Sequence, residues 1–212
     1  MVRDHGIVEG RQLKRPGRMP AGCPPTIGPM ALRATVHKLE LSIADIDRSR
    51  YADHTLTIAQ HPSETEERVM LRVLAFVMFA DDALQFGRGL SAEGEPDLVL
   101  SDDTGRIRLW IEVGLPDEKW VRKACGRADQ VVVLAYGGNR ATMWWRQQQA
   151  ALTRNDNLSV VAIDPESSSA LARLLSRTMR LSATVQDAQV WIGSGTEGVA
   201  VDPEWWLRAA AN

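Results

Sequence analysis

Two carboxylates stand where two short strands could bring them together. Asp97 lies in the run Glu95-Pro96-Asp97-Leu98-Val99-Leu100, and Glu112 ends the run Arg106-Ile107-Arg108-Leu109-Trp110-Ile111-Glu112. Side chains alternate along a strand, so Ile107, Leu109, Ile111 and Val113 share one face while Arg108, Trp110 and Glu112 share the other. Between the runs, Thr104-Gly105 fits the two central residues of a tight hairpin turn. Asp103 then pairs with Arg106, and counting outward sets Asp97 opposite Glu112. Directly opposed residues have Cβ atoms about 4.5 to 5.5 Å apart. Two like charges at that distance repel, and a divalent cation such as Mg²⁺ or Mn²⁺ relieves the repulsion by taking an oxygen from each. The chemistry this implies is metal-dependent phosphodiester hydrolysis, the ion generating hydroxide and polarising the phosphoryl group. One bulge or a longer turn breaks the register, and an ordinary hairpin with a solvated edge is the competing reading.

Several elements must hold such a pair in place. Alternation over 31–46, with a bulge near Lys38, predicts a long first strand, answered by a strand from Tyr51 to Ala59. His54 and His61 have no second ligand at a metal-binding spacing and read as packing or surface residues. Ser63-Glu64-Thr65-Glu66 has the form of a capping box, and Val69, Met70, Val73, Leu74 and Val77 follow at helical spacing. A short strand from Leu84 to Phe86 and a glycine-bearing loop from Gly87 to Gly94 lead to the hairpin. Pro116 and Asp117 open a second helix with Val121, Ala124, Cys125 and Ala128 inward. On its other side Lys119, Arg122, Lys123 and Arg127 form a basic stripe, read either as a solvated face or as a phosphate-binding one. The run from Gln130 to Tyr136 is apolar without alternation, as in a strand buried on both faces, and it completes a β-α-β crossover. A helix from Arg140 to Leu152, a strand from Leu158 to Ile163, a helix from Pro165 to Arg177 and three short strands complete the chain. Trp144-Trp145 and Trp205-Trp206 are read as adjacent helix positions about 100° apart, so that at least one of each pair packs inward.

With 212 residues the chain is long enough for one sizeable core, and its formal charge of -2 provides no global field that would recruit nucleic acid. The two cysteines, Cys23 and Cys125, form no CxxC pair, which points to a reducing compartment, the cytoplasm by default, and to no zinc site. No apolar run approaches the roughly 20 residues needed to cross a bilayer. Residues 1–29, with five basic residues and five prolines, lack the apolar core of a secretory signal. They read as a disordered tail ahead of a single domain over 30–212, and Met1 reads as an upstream start.

From Met30 onward the chain resembles the YaeQ family, in the phrases Tyr51-Ala52-Asp53-His54-Thr55, His61-Pro62-Ser63-Glu64-Thr65, Glu95-Pro96-Asp97-Leu98, Arg122-Lys123-Ala124-Cys125-Gly126-Arg127-Ala128 and Trp144-Trp145. The resemblance implies an α/β fold, a variant of the PD-(D/E)XK nuclease fold: a central mixed sheet flanked by helices, with added N- and C-terminal strands. It implies Pro96-Asp97 at the PD positions and Glu112 at the second acidic position, the pair being the metal ligands. The motif's lysine position is Gly114. Lys119 is the relocated substitute that the resemblance implies, and Glu67 resembles the extra acid on the first helix, with Glu64 as the alternative.

Two functions therefore stand as expectations. In the first, Asp97 and Glu112 bind Mg²⁺ or Mn²⁺, Lys119 and Glu67 assist, and Arg122, Lys123 and Arg127 hold the backbone of DNA or RNA. In the second the chemistry is lost, as Gly114 favours, and the fold binds nucleic acid or a protein partner. Neither reading involves a membrane, and neither sets an oligomeric state.

Overall fold

The computed structural model describes residues 34–87, 94–195 and 197–210. The expectations for the tail over 1–29, the start of the first strand and most of the glycine-bearing loop fall outside these residues. The chain runs β1 (Thr35–Asp45), β2 (Arg50–Gln60), α1 (Glu66–Met78), β3 (Leu84–Phe86), β4 (Leu98–Ser101), β5 (Ile107–Val113), α2 (Glu118–Cys125), β6 (Ala128–Ala135), α3 (Asn139–Leu152), β7 (Leu158–Ala162), α4 (Pro165–Ala172), β8 (Thr178–Gln186), β9 (Gln189–Ser194), β10 (Glu197–Val201) and β11 (Glu204–Leu207).

Two mixed sheets form where one central sheet was expected. The six-stranded sheet has the order β11-β7-β6-β5-β4-β3, and the five-stranded sheet β10-β9-β8-β1-β2. The N-terminal hairpin and the C-terminal strands β8–β10 do not extend the central sheet, whereas β11 joins its edge at β7. The hairpin and β8–β10 join each other through a parallel pairing of β1 with β8 that starts at Lys38 and Thr178.

Helix α1 lies between the sheets. From Val69 to Val77 every residue is buried, Arg72 included, as expected of a helix packed on all sides. One apolar cluster joins it to Leu39, Leu41 and Ile43 of β1, Leu109, Ile111 and Val113 of β5, and Met179 and Leu181 of β8. On the opposite face of the six-stranded sheet a second cluster joins Trp110, Val131 and Val133 to Val121 and Ala124 of α2 and Trp144 of α3. Strands β5, β6 and β7 are therefore covered on both faces, which explains the unbroken apolar run in β6.

Several local expectations are corrected. Strand β1 pairs with β2 without a bulge at Lys38, because Val36 faces outward and His37 fills the inner face. The His37 imidazole meets the Ser176 carbonyl at 2.8 Å and Gln60 Oε1 at 2.9 Å. Helix α1 is capped by Thr65, whose hydroxyl accepts the Arg68 N–H, and not by Ser63, whose hydroxyl lies 2.6 Å from His61 Nδ1. Helix α2 ends at Cys125 with Gly126 as its cap, so Ala128 begins β6 and Arg127 stands outside the helix. Helix α4 stops at Ala172, and Trp205-Trp206 belongs to a strand pairing with β7, not to a helix. Strand alternation sends Trp205 to the first cluster and Trp206 to the second.

Candidate functional site

The β4–β5 hairpin has the expected outer register by a different route. Leu98 pairs with Ile111, Val99 with Trp110 and Leu100 with Leu109, and the Asp97 N–H donates to the Ile111 carbonyl at 2.9 Å, so Asp97 falls opposite Glu112. The turn is one residue longer than expected, spanning Asp103-Thr104-Gly105 between Asp102 and Arg106, with Gly105 at φ 83°. Asp102 Oδ1 fixes it by accepting the Thr104 and Arg106 N–H groups. Arg108 then has no partner between Ile107 and Leu109, and this bulge cancels the extra turn residue.

The Asp97 carboxylate is 3 % exposed and fully engaged. Arg68 Nη2 donates to both of its oxygens at 2.8 Å, the Val113 N–H donates to Oδ2 at 2.7 Å, and Arg72 Nε stands 3.8 Å from Oδ1. Burial pushes its pKa above the ordinary value, and Arg68, the Val113 N–H and Arg72 pull against that rise. Both arginines also contact Glu64: Arg68 Nη1 at 2.6 Å and Arg72 Nη1 at 3.3 Å from each oxygen. Residues 64, 68 and 72 recur every four positions, Glu64 just before the Thr65 cap and the two arginines on one face of α1, so this stretch delivers an acid and two guanidinium groups to the mouth of the hairpin. Arg72 is fully buried, donates to the Ala59 and Gly87 carbonyls at 3.1 Å and lies over the Phe86 ring.

Glu112 sits on the other face of β5, beside Trp110. Its Oε1 accepts the indole N–H groups of Trp110 and Trp120, both at 2.8 Å. Burial, and then the charge of Asp97, push its pKa up to about 7, with the indole donors and Arg68 pulling the other way. A partly buried carboxyl whose pKa is raised by burial and then by a like charge is the type of perturbed group that marks functional sites.

The remaining sequence-predicted residues are placed less centrally. Glu67 Oε1 accepts the buried Ser168 hydroxyl at 2.6 Å, which ties α1 to α4, and its charge helps push the Tyr136 hydroxyl's pKa up after burial. Lys119 is exposed on α2. Arg122 pairs with Glu118 at 2.9 Å, Lys123 lies over the Trp120 ring at 5.1 Å, and Arg127 is exposed beyond the helix. Of the stripe, then, three bases share α2 and the fourth follows it.

Gly114, where the resemblance implied a lysine position, has left the strand. Its φ of 133° is a backbone conformation that L side chains rarely adopt, although open space surrounds the site of a Cβ. Gly114→Lys should therefore lose about 1 to 3 kcal/mol in a denaturant melt through backbone strain, without creating activity.

Arg68, Arg72 and the two indoles were not foreseen as partners of the acids. A signal was present: Arg72 interrupts the most apolar run in the chain, one helical turn after Arg68 and two after Glu64.

A divalent cation shared by Asp97 and Glu112 needs free oxygens from both and a third anionic or carbonyl donor within reach. Arg68 lies across both Asp97 oxygens, two indoles hold one Glu112 oxygen, and among the described residues no three His, Cys, Asp or Glu side chains converge. The residues as arranged do not fit the ion, because an arginine already fills the cation's place.

Fold and site define a two-sheet α/β protein with a buried, arginine-neutralised Asp97 opposite a partly buried, indole-held Glu112 at the end of a hairpin. The family model described as YaeQ protein matches residues 30–203, and the chain belongs to that family. It is 45% identical over 179 residues to the uncharacterized protein YaeQ of Salmonella typhi and 44% identical to that of Escherichia coli (strain K12), covering 84% of this chain and 99% of each relative. It is also similar to the crystal structure of YaeQ protein from Xanthomonas axonopodis pv. citri, with a TM-score of 0.80 and 47% identity over 84% of this chain and 99% of that one. The YaeQ protein from Pseudomonas syringae gives 0.79 and 32%, over 82% and 97%.

Proposed function

We propose that this chain is a variant of the PD-(D/E)XK nuclease fold in which the metal centre has become an internal ion-pair network, and that it binds nucleic acid without cutting it. The observation that carries this reading is the Arg68 guanidinium on both oxygens of Asp97. Gly114, in a conformation strained for lysine, and Lys119, exposed on α2, support it. The hairpin with its opposed acids and the β5-α2-β6-α3-β7 succession support the fold assignment. Binding falls to Lys119, Arg122, Lys123 and Arg127, which stand exposed beside the hairpin and would meet backbone phosphates.

The second reading keeps the chemistry: Asp97 and Glu112 as Mg²⁺ or Mn²⁺ ligands in phosphodiester hydrolysis, in the cytoplasm. The pKa of Glu112 near 7 favours it, as a carboxyl poised for proton transfer.

Labelled DNA and RNA oligonucleotides separate the two. Fluorescence anisotropy in EDTA should show binding that weakens at least about tenfold in the Arg122→Glu, Lys123→Glu double variant, falls with salt, and is unchanged in Glu112→Gln. With Mg²⁺ or Mn²⁺ added, the oligonucleotides should stay intact. Cleavage that Glu112→Gln abolishes would reject the binding-module reading, and wild-type behaviour of the charge-reversal variant would direct attention to a protein partner.

A further inference from the structure

About 20 Å from Glu112, at the other end of β5, lies a cleft of about 810 Å³ that none of the roles above uses. Four arginines from two parts of the chain line it: Arg48 and Arg50 from the β1–β2 connection and the start of β2, and Arg106 and Arg108 from the start of β5. Against them stand two lining carboxylates, Asp81 and Asp129, and Asp45 behind Arg48, leaving a surplus of one positive charge.

The carboxylates position the arginines without saturating them. Asp129 is shared: its Oδ1 accepts from both Nε, at 2.8 Å, and Nη2, at 2.5 Å, of Arg106, and its Oδ2 lies 3.0 Å from Arg108 Nε. Each guanidinium therefore keeps N–H groups free of that carboxylate, and the two side chains are 66 % and 58 % exposed. Arg50 reaches Asp81 only at 3.4 Å. Arg48 is committed locally, to Asp45 and to the Met78 carbonyl at the end of α1, where its charge offsets the negative end of the helix dipole that would otherwise repel an anion. The floor is apolar, from Phe79, Leu100 and Leu109. Forked donors above an apolar floor, in a cleft within the usual range of small-molecule sites, match an organic group bearing several phosphates.

We propose that this cleft binds a small organic polyphosphate of nucleotide type, the arginines taking the phosphates and the Phe79, Leu100 and Leu109 floor the organic moiety. This inference is independent of the reading of the carboxylate pair and survives its failure.

Calorimetry in EDTA, with ATP and inorganic tripolyphosphate as probes, tests it. Wild type should bind ATP saturably at one site, and tripolyphosphate more weakly because it lacks a group for the apolar floor. An Arg106→Ser, Arg108→Ser double variant and, separately, Arg50→Ser should each weaken ATP binding by about tenfold or more. Arg180→Ser, a change at an exposed arginine on another strand, should leave it as in wild type. Thermal melts should match wild type, since the changed side chains are more than half exposed. Absence of saturable ATP binding at millimolar concentration overturns the proposal, as does ATP binding that neither cleft variant changes. Equal loss in Arg180→Ser, which would indicate nonspecific charge attraction, also overturns it, and so does arginine-dependent binding of oligonucleotides without binding of either small probe.

Discussion

Arg72→Met should destabilise the protein by about 3 to 5 kcal/mol, lowering its melting temperature by about 6 to 20 °C. Arg72 is fully buried, and methionine can fill most of its volume, so the loss is electrostatic and not one of packing. Without it the Ala59 and Gly87 carbonyls lose their side-chain donor, Glu64 keeps Arg68 as its one charged partner beside the His61 N–H, and Asp97 loses one of two nearby positive charges. A buried charge left short of its partner is the costly case, whereas an exposed pair such as Arg50–Asp81 should contribute little. A double-mutant cycle with Glu64→Gln, read by denaturant melts, should give a coupling energy of about 0.5 to 3 kcal/mol. Additive effects would mean that the network is geometric only.

Glu112→Gln should remove a pH dependence and stabilise the protein above neutrality. In the folded chain the Glu112 pKa is raised to about 7 from the ordinary value of 4.5. Between those values the folded state holds the proton more tightly than the unfolded state. The contribution of this group is thus complete below pH 4.5 and is lost as pH rises through 7. The loss is about 3 kcal/mol, at roughly 1.4 kcal/mol per pH unit. Glutamine resembles the protonated acid and can still accept from the two indoles. The variant should therefore match wild type at pH 5 and melt about 6 to 12 °C higher at pH 8.5. A variant less stable than wild type at pH 8.5 would mean that the ionised carboxylate is the form the fold requires.

How much of this could be read from the sequence depended on how local the signal was. Helix α1 was legible because an apolar run of helical period dominates it, and the β4–β5 register because alternation marked β5 and the Thr104-Gly105 pair marked the turn. Even there, a three-residue turn and a bulge at Arg108 cancelled where a two-residue turn had been expected. The second sheet was not legible, since pairing β1 with β8 joins residues 140 positions apart, such as Lys38 and Thr178, and no local pattern encodes it. Strand β11 was hidden because paired tryptophans suit either element. At the site, the acids announced themselves and their counter-ions did not. A charged residue within an apolar helix reads as an interruption until the hairpin it faces is in place.

The central claim is that Arg68 and Arg72, not a metal ion, neutralise Asp97, while two indole N–H groups hold Glu112. Its most direct test is calorimetric titration of the wild-type chain with Mn²⁺ to millimolar concentration at pH 8.5, where Glu112 is ionised, beside Glu112→Gln. No saturable binding in either protein is the predicted result. One-to-one binding in wild type that disappears in Glu112→Gln would contradict the claim and make the pair a metal centre.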